Sequence, residues 1–174
     1  MPDESAEALF GTWLTEHKGA VLKVARAYTL TSEDCQDLVQ DILLQLWASL
    51  PQFRGRASAS TWIYRVALNT ALSWRRKEGR RRKHQRPVLE VVDQSVAGGE
   101  SDRRIVEREA VERLYGAIRR LPKADAALFL LFLDDLSYRE MAEVLGISEN
   151  HVGVKLNRAK KALAELMKEG PHDS

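Results

Sequence analysis

Polar side chains able to bind nucleic acid recur along one side of the segment that follows Ser148. Lys155, Arg158 and Lys161 supply cations, and Asn150 supplies an amide. Cationic side chains bind phosphate oxygens, while amide and guanidinium groups also hydrogen-bond base edges. This spacing therefore favours non-covalent binding of a nucleic acid.

Patterns for covalent or metal chemistry do not occur in the sequence. It contains no glycine-rich phosphate loop, no paired-carboxylate pattern and no nucleophile matched to a base. Cys35 is the only cysteine, and it has no ligand spacing to the 4 scattered histidines. We therefore expect no catalytic residue, no metal and no cofactor. A single cysteine also excludes an intramolecular disulfide framework, as is typical of a reducing cytosol.

The stretch LSYREMAEVLGISENHVGVKLNRAKKAL, residues 136–163, predicts two helices joined by a tight turn. Ser137 and Glu140 match a capping box, Gly146 permits a left-handed turn, and Ser148 can cap the second helix. Four apolar side chains recur on the inward face of that helix: Val152, Leu156, Ala159 and Leu163. The pattern is typical of a helix-turn-helix, whose second helix enters the DNA major groove. An ordinary helical hairpin in a core is the alternative.

A second candidate site lies where a small, basic loop precedes a helix. The loop FRGRASAS covers residues 53–60, and the helix is predicted from about Thr61 through TWIYRVALNTALSWRRK. Trp62 and Tyr64 stand beside arginines, a combination that holds single-stranded nucleic acid by stacking and phosphate contacts. The loop also leaves room for an extruded base. The alternative, which periodicity alone favours, is that Trp62 is a core residue.

Charge is segregated along the chain, although the formal net charge is only +2. Residues 75–86 are densely basic, whereas residues 33–41 are acidic. Segregation of this kind suggests one surface for a phosphate-rich partner and another for a basic partner. For each surface, simple solvation of charged side chains is the alternative.

Helical periodicity dominates the sequence and predicts an all-α fold of two small helical domains joined by a flexible linker. We expect domains at 1–86 and 106–170, with a linker at 87–105 that contains Gly98-Gly99. The helix predicted from Val106 to Arg120 directs Val106 and Ala110 inward, and the helix before Pro51 buries Trp47. No apolar run approaches the ~20 residues that a membrane helix needs, and no signal-peptide pattern is present. The expected location is therefore the cytoplasm, without membrane insertion.

Taken in order, these segments resemble the extracytoplasmic-function class of sigma-70 family RNA polymerase sigma factors. The resemblance extends from about Phe10 to about Met167. It is carried by SEDCQDLVQDILLQLW, FRGRASASTWIYRVALNTALSWRRK, LPKADAALFLLFLDDLSYREMAEVLGIS and a following V-x-x-x-L-x-R-A-K segment. It implies a region 2-like domain, a linker and a region 4-like helix-turn-helix domain. It also implies binding to core RNA polymerase through the beta-prime clamp helices and the beta flap.

The resemblance assigns three sets of site residues. The set expected to bind core polymerase is acidic and amide-rich: Asp37, Gln40 and Asp41. The set expected at the minus-10 element is Phe53, Arg54, Ser58, Ser60, Thr61, Trp62, Arg65 and Asn69. The set expected at the minus-35 element is Asn150, Gly153, Val154, Lys155, Asn157, Arg158 and Lys161.

This chain departs from its relatives within the two DNA-binding sets. Many relatives carry an aromatic residue just before the Thr-Trp pair, where this chain has Ala59 and Ser60. Relatives often carry basic or hydroxyl side chains where this chain has Gly153 and Val154. That change favours close backbone approach or apolar contact with a thymine methyl group.

The function implied is promoter recognition and DNA opening on core RNA polymerase, under control of an anti-sigma factor. One alternative is a stand-alone helix-turn-helix regulator, which would usually dimerise to bind two half-sites. Another is an enzyme or small-molecule sensor built on a helical bundle. The sequence shows no dimerisation heptad, and it predicts no buried polar pocket.

Overall fold

The computed structural model describes residues 4–84 and 101–169, and the side chains of residues 81–84 lie outside that description. The described residues form seven α-helices and one short 3-10 turn, with no strand among them. In chain order the helices are α1 Glu4–Ala27, α2 Ser32–Ser49, α3 Ala59–His84, α4 Asp102–Arg120, α5 Lys123–Leu133, α6 Tyr138–Leu145 and α7 Glu149–Glu169. The predicted all-α class is confirmed. No helix within the two described ranges is both long and apolar enough to cross a lipid bilayer.

Helices α1, α2 and α3 pack together as an N-terminal unit. Their inward faces exclude water completely at Val24, Leu38 and Ile42, and almost completely at Ile63. The Thr31 hydroxyl caps α2 by accepting the Asp34 N–H at 3.0 Å, which satisfies a free donor at the helix start. Helix α2 ends at Ser49, and Leu50 begins the 3-10 turn that contains Pro51, so the helix stops before the proline as the sequence predicts.

Helices α4 to α7 form a C-terminal unit built around α5, whose consecutive residues Ala126 to Leu131 are all buried. The predicted capping box is confirmed: Ser137 accepts the Glu140 N–H at 3.2 Å, and Glu140 accepts the Ser137 N–H at 2.8 Å. Gly146 takes the predicted left-handed conformation, with φ of +69°. Ser148 then caps α7 by accepting the His151 N–H at 3.2 Å.

The turn after α5 directs the carboxylate of Asp134 toward the N-terminal unit. Leu136 N–H donates to the Leu131 carbonyl at 3.2 Å, and Asp135 N–H donates to the Phe132 carbonyl at 3.1 Å. These two bonds define a Schellman motif, which needs one left-handed residue. Asp135 fills that position with φ of +56°, and the preceding Asp134 faces helices α1 and α3.

Several predicted boundaries and burial assignments were wrong. Helix α3 begins at Ala59 rather than near Thr61, because Ser58 supplies its cap. Helix α4 begins at Asp102, so residues 102–105 of the predicted linker are helical, while residues 87–100 lie outside the described part. Val106 is 64% exposed and Trp47 is 36% exposed, although both were predicted to be inward. Residues 102–111 of α4 are all exposed, including Ala110, which was also predicted to be inward. Trp47 lies nine residues from the buried Leu38, which places it on the opposite side of α2.

The two units pack against each other. Asp134 accepts from Lys23 of α1 and from the Tyr64 hydroxyl of α3. The Tyr28 hydroxyl donates to the Lys123 carbonyl at 3.0 Å. Contacts of this kind were not predicted, since they join residues far apart in the sequence.

Candidate nucleic-acid and polymerase interfaces

The outward face of α7 is polar and largely exposed. Its inward face is fully buried at Val152, Leu156 and Ala159. Because these three side chains bury one face of the helix, the opposite face is turned toward solvent. The exposed side carries Asn150, Asn157, Arg158 and Lys161, with Lys155 partly exposed. The structure thus brings the predicted minus-35 residues onto one face.

An apolar patch interrupts that polar face. Val154 is 60% exposed, and Tyr138 at the start of α6 is 45% exposed. A Cβ at Gly153 would lie 3.4 Å from Cε2 of Tyr138, within van der Waals contact, so the Tyr138 ring lies directly against this glycine. Sequence reasoning missed Tyr138, although its place directly after the Ser137 cap marked it as the first helical residue of the motif.

The loop before α3 presents charge and a hydroxyl to solvent. Arg54, Arg56 and Ser58 are exposed, and Gly55 turns the chain with φ of +71°. Ser58 caps α3: its Oγ accepts the Thr61 N–H at 3.1 Å and donates to Thr61 Oγ1 at 3.0 Å. The two loop arginines therefore lie just before the capped start of α3.

Two predicted minus-10 residues, Phe53 and Trp62, pack against the protein core, and a third, Thr61, is fully buried. The Trp62 Nε1–H donates to Ser49 Oγ at 3.0 Å, and its ring meets Phe53 edge-on, with centroids 5.5 Å apart. Phe53 in turn meets the buried Trp13 at 5.0 Å. Thr61 is 0% exposed. In this conformation Thr61 cannot touch a DNA strand. Trp62 is partly buried and packs against the core, and its minus-10 role stays a prediction.

The remaining minus-10 residues differ in accessibility. Asn69 is exposed, and Ser60 is partly exposed. Arg65 is partly buried, and it donates to the Glu143 carbonyl of α6 at 2.8 Å. The accessible part of the minus-10 set therefore comprises the exposed loop and the amide of Asn69, whereas Arg65 is bound by the C-terminal unit.

The acidic face of α2 is exposed as predicted, and it continues into apolar surface. Asp37, Gln40 and Asp41 all face solvent. Leu44 is 65% exposed and lies on the same side, since residues three, four and seven apart share a helix face. Trp47 extends this face and packs edge-on against Phe10 at 5.2 Å. Sequence reasoning missed Leu44, which it assigned neither to the core nor to the acidic stripe.

Three tyrosines with raised pKa values lie where the two units meet. Burial raises the pKa of Tyr28 to about 12, although the charge of Arg75 opposes this shift. Burial also raises the pKa of Tyr64 and, with partial opposition from Arg26 and Arg119, the pKa of Tyr115. All three hydroxyls therefore stay protonated near neutral pH. Tyr28 and Tyr64 consequently remain hydrogen-bond donors across the contact.

No cluster of three or more metal-ligating side chains occurs within residues 4–84 and 101–169. Cys35 is a free, partly buried thiol.

Comparison with known proteins finds a matching family model for each of the two units. The family model for sigma-70 region 2 matches residues 13–81, and the model for sigma-70 region 4 matches residues 111–163. The sigma factor SigV of Bacillus subtilis is 27% identical over 168 residues, which cover 95% of this chain and 96% of SigV. The ECF sigma-E factor of Haemophilus influenzae is 24% identical, with 88% of this chain and 85% of that protein covered.

Two solved structures share the fold over most of the chain. The sigma factor RpoE of Bartonella quintana, in complex with the anti-sigma factor NepR, has a TM-score of 0.71 and 23% identity, with 91% of this chain and 96% of that chain covered. CnrH, in complex with the cytosolic domain of CnrY, has a TM-score of 0.67 and 21% identity, with 94% and 90% covered.

These matches and the two helical units define a sigma-type transcription factor. The chain belongs to the sigma-70 family of RNA polymerase sigma factors, in its extracytoplasmic-function class.

The Ser58 cap gives a prediction for the minus-10 loop. Replacing Ser58 with Ala should lower the free energy of unfolding by about 1 kcal/mol, because one donor at the start of α3 loses its acceptor. Ser58→Asn should restore most of that loss, since an amide oxygen also caps. Urea unfolding of the whole chain measures both changes. Equal stability of the Ala and Asn variants would contradict the capping role.

Proposed function

We propose that this chain binds core RNA polymerase, contacts the minus-35 element with α7, and opens DNA at the minus-10 element with the loop and helix α3. The observation that carries the proposal is the exposure of three distinct faces on one chain. These faces are the cationic side of α7, the loop with Arg54 and Arg56, and the acidic side of α2. Membership of the sigma-70 family supports it.

The α7 face would bind duplex DNA in two ways. Lys155, Arg158 and Lys161 suit phosphate contacts, which position the protein without sequence information. Asn150 and Asn157 can hydrogen-bond base edges, and the apolar patch of Tyr138 and Val154 suits a thymine methyl group. The Tyr138 ring lies against Gly153, the residue before Val154.

The minus-10 surface would act by capturing separated DNA. Unpairing and unstacking a base costs a few kcal/mol, and binding of the exposed base and its phosphates offsets that cost. Arg54, Arg56 and Asn69 are the side chains best placed for this, with Arg65 once it leaves Glu143. Phe53, Thr61 and Trp62 would support the loop from beneath.

The α2 face would dock on the polymerase. Asp37 and Asp41 suit the basic side of a partner helix, where charge complementarity mainly steers association and fixes register. Leu44 and Trp47 add exposed apolar area beside these carboxylates, which suits an interface whose centre excludes water. The beta-prime clamp helices are the proposed partner here, and the beta flap is proposed for the C-terminal unit.

The remaining assignments follow from this role. The chain would carry no catalysis of its own and would act in the cytoplasm with the polymerase. An anti-sigma factor is a further proposed partner. In support, both solved structures described above hold a chain of this fold in complex with another protein, and one of these partners is an anti-sigma factor.

In vitro transcription tests the function directly. Purified chain, core RNA polymerase and fragments of the host genome should yield transcripts with defined start sites, which core polymerase alone does not produce. Tight, specific duplex binding without polymerase, together with no start-site selection, would favour a stand-alone regulator instead.

Reversing one charge on α2 tests the docking face. Asp37→Arg should weaken binding to core polymerase by about tenfold or more, because it places like charge against a basic partner. Glu16→Arg on α1 makes the same change at a side chain that is 63% exposed, and it serves as the matched control. Binding is measured by fluorescence anisotropy, and equal affinities of the two variants would exclude the proposed face.

Removing two cations from α7 tests phosphate contact. Lys155→Ala with Arg158→Ala should reduce the slope of log affinity against log salt by about 2, since each contact releases roughly one counterion. The measurement is holoenzyme binding to a promoter fragment across a salt series. An unchanged slope would show that these side chains do not contact phosphates.

A further inference from the structure

A valine occupies the centre of the exposed face of α7. Val154 lies two residues from the fully buried Val152 and two residues from the fully buried Leu156. A rotation of about 100° per residue places it about 200° from both, so it points directly away from the core. Its side chain is 60% exposed and belongs to the first two turns of α7. In helix-turn-helix proteins, the residues of these turns contact base edges.

Polar side chains lie on both sides of this valine along the helix axis. Asn150 precedes it by four residues, and Asn157 and Arg158 follow it by three and four, so all three are its neighbours on the exposed face. Gly153 adds no side chain beside it, and the partly exposed Tyr138 ring lies against that glycine. The centre of the face is therefore apolar, whereas both ends can form hydrogen bonds.

The chemistry of a valine limits what it can recognise in the major groove. Base edges present hydrogen-bond donors and acceptors there, and thymine also presents a C5-methyl group. An aliphatic side chain against a donor or an acceptor displaces water and returns no hydrogen bond, which costs free energy. Contact with a methyl group instead buries apolar area on both molecules. A valine at this position therefore favours a base that carries a methyl group.

We propose that Val154 is a specificity-determining residue of α7 that reads the C5-methyl group of one pyrimidine in the minus-35 element and not the hydrogen-bonding groups of that base. The proposal rests on the duplex-binding role proposed for α7. A cytosine methylated at C5 carries the same group at the same position of the ring. Methylation of a cytosine at this site therefore strengthens promoter binding, so that modification of the DNA changes which promoters the chain recognises.

Removing single methyl groups from the DNA tests the proposal. Holoenzyme binding is measured on a promoter fragment with a mapped start site, in which each thymine of the minus-35 element is replaced in turn by deoxyuridine. This change leaves the hydrogen-bonding groups of the base as they were. We expect about a fourfold loss of affinity at one position or at two adjacent ones, the effect of one buried methyl group. At that position, 5-methylcytosine should bind about fourfold more tightly than cytosine.

Two variants assign the effect to this side chain. Val154→Ser removes both methyl groups of the valine, and the helix should be kept because the two residues have similar helix propensities. The ratio of affinities for thymine and deoxyuridine should fall from about four to near one in this variant. Val106→Ser is the matched control, because Val106 is 64% exposed and lies on α4, outside the predicted DNA-binding sets. It should keep the wild-type ratio.

Three outcomes would overturn the proposal. They are equal binding of thymine and deoxyuridine at every position, a methyl effect that persists in Val154→Ser, and equal binding of cytosine and 5-methylcytosine at the sensitive position. Circular dichroism checks that each variant keeps its helix content. Failure of the proposed function would look different: the holoenzyme would select no start site, and it would bind unrelated fragments as tightly as any promoter.

Discussion

Exclusion of apolar side chains from water fixes which face of each helix is left for a partner. In the C-terminal unit α5 is buried along consecutive residues, and α7 packs with Val152, Leu156 and Ala159 fully enclosed. That single constraint turns the cationic side of α7 outward. In the N-terminal unit the burial of Leu38, Ile42 and Leu46 likewise turns the carboxylates of α2 to solvent. Partner surfaces here are consequences of core packing.

Local signals were sufficient for the helix-turn-helix and for most helix boundaries. The capping box at Ser137, the left-handed Gly146 and the cap at Ser148 all depend on residues within a few positions of one another. Features that depend on distant packing were predicted poorly. Trp62 finds its hydrogen-bond partner in Ser49 of another helix, and Lys23 pairs with a carboxylate 111 residues away. Periodicity along one helix carries no information about such contacts.

The candidate site shows the same division. Sequence pattern placed the α7 face and the acidic stripe of α2 correctly on exposed surfaces. It could not separate the exposed residues of the predicted minus-10 set from the enclosed ones, because both kinds follow the same motif. Burial makes that separation: Arg54 is exposed, whereas Thr61 is enclosed and bonded to Ser58. The exposure of Leu44 beside the acidic stripe also needed the packed structure, because leucine is more often buried than exposed.

Two units on one chain bind more tightly than either alone when both reach their targets together, because the second contact forms at a high effective concentration. The central claim is that the units contact separate stretches of one promoter. Photocrosslinking tests it most directly, with p-benzoylphenylalanine placed at exposed Val154 or at exposed Arg54 in holoenzyme on a promoter fragment. We predict that position 154 crosslinks to the upstream duplex, and position 54 to the non-template strand at the downstream element. Crosslinks from both positions to the same stretch, or from position 54 to closed duplex only, would contradict the claim.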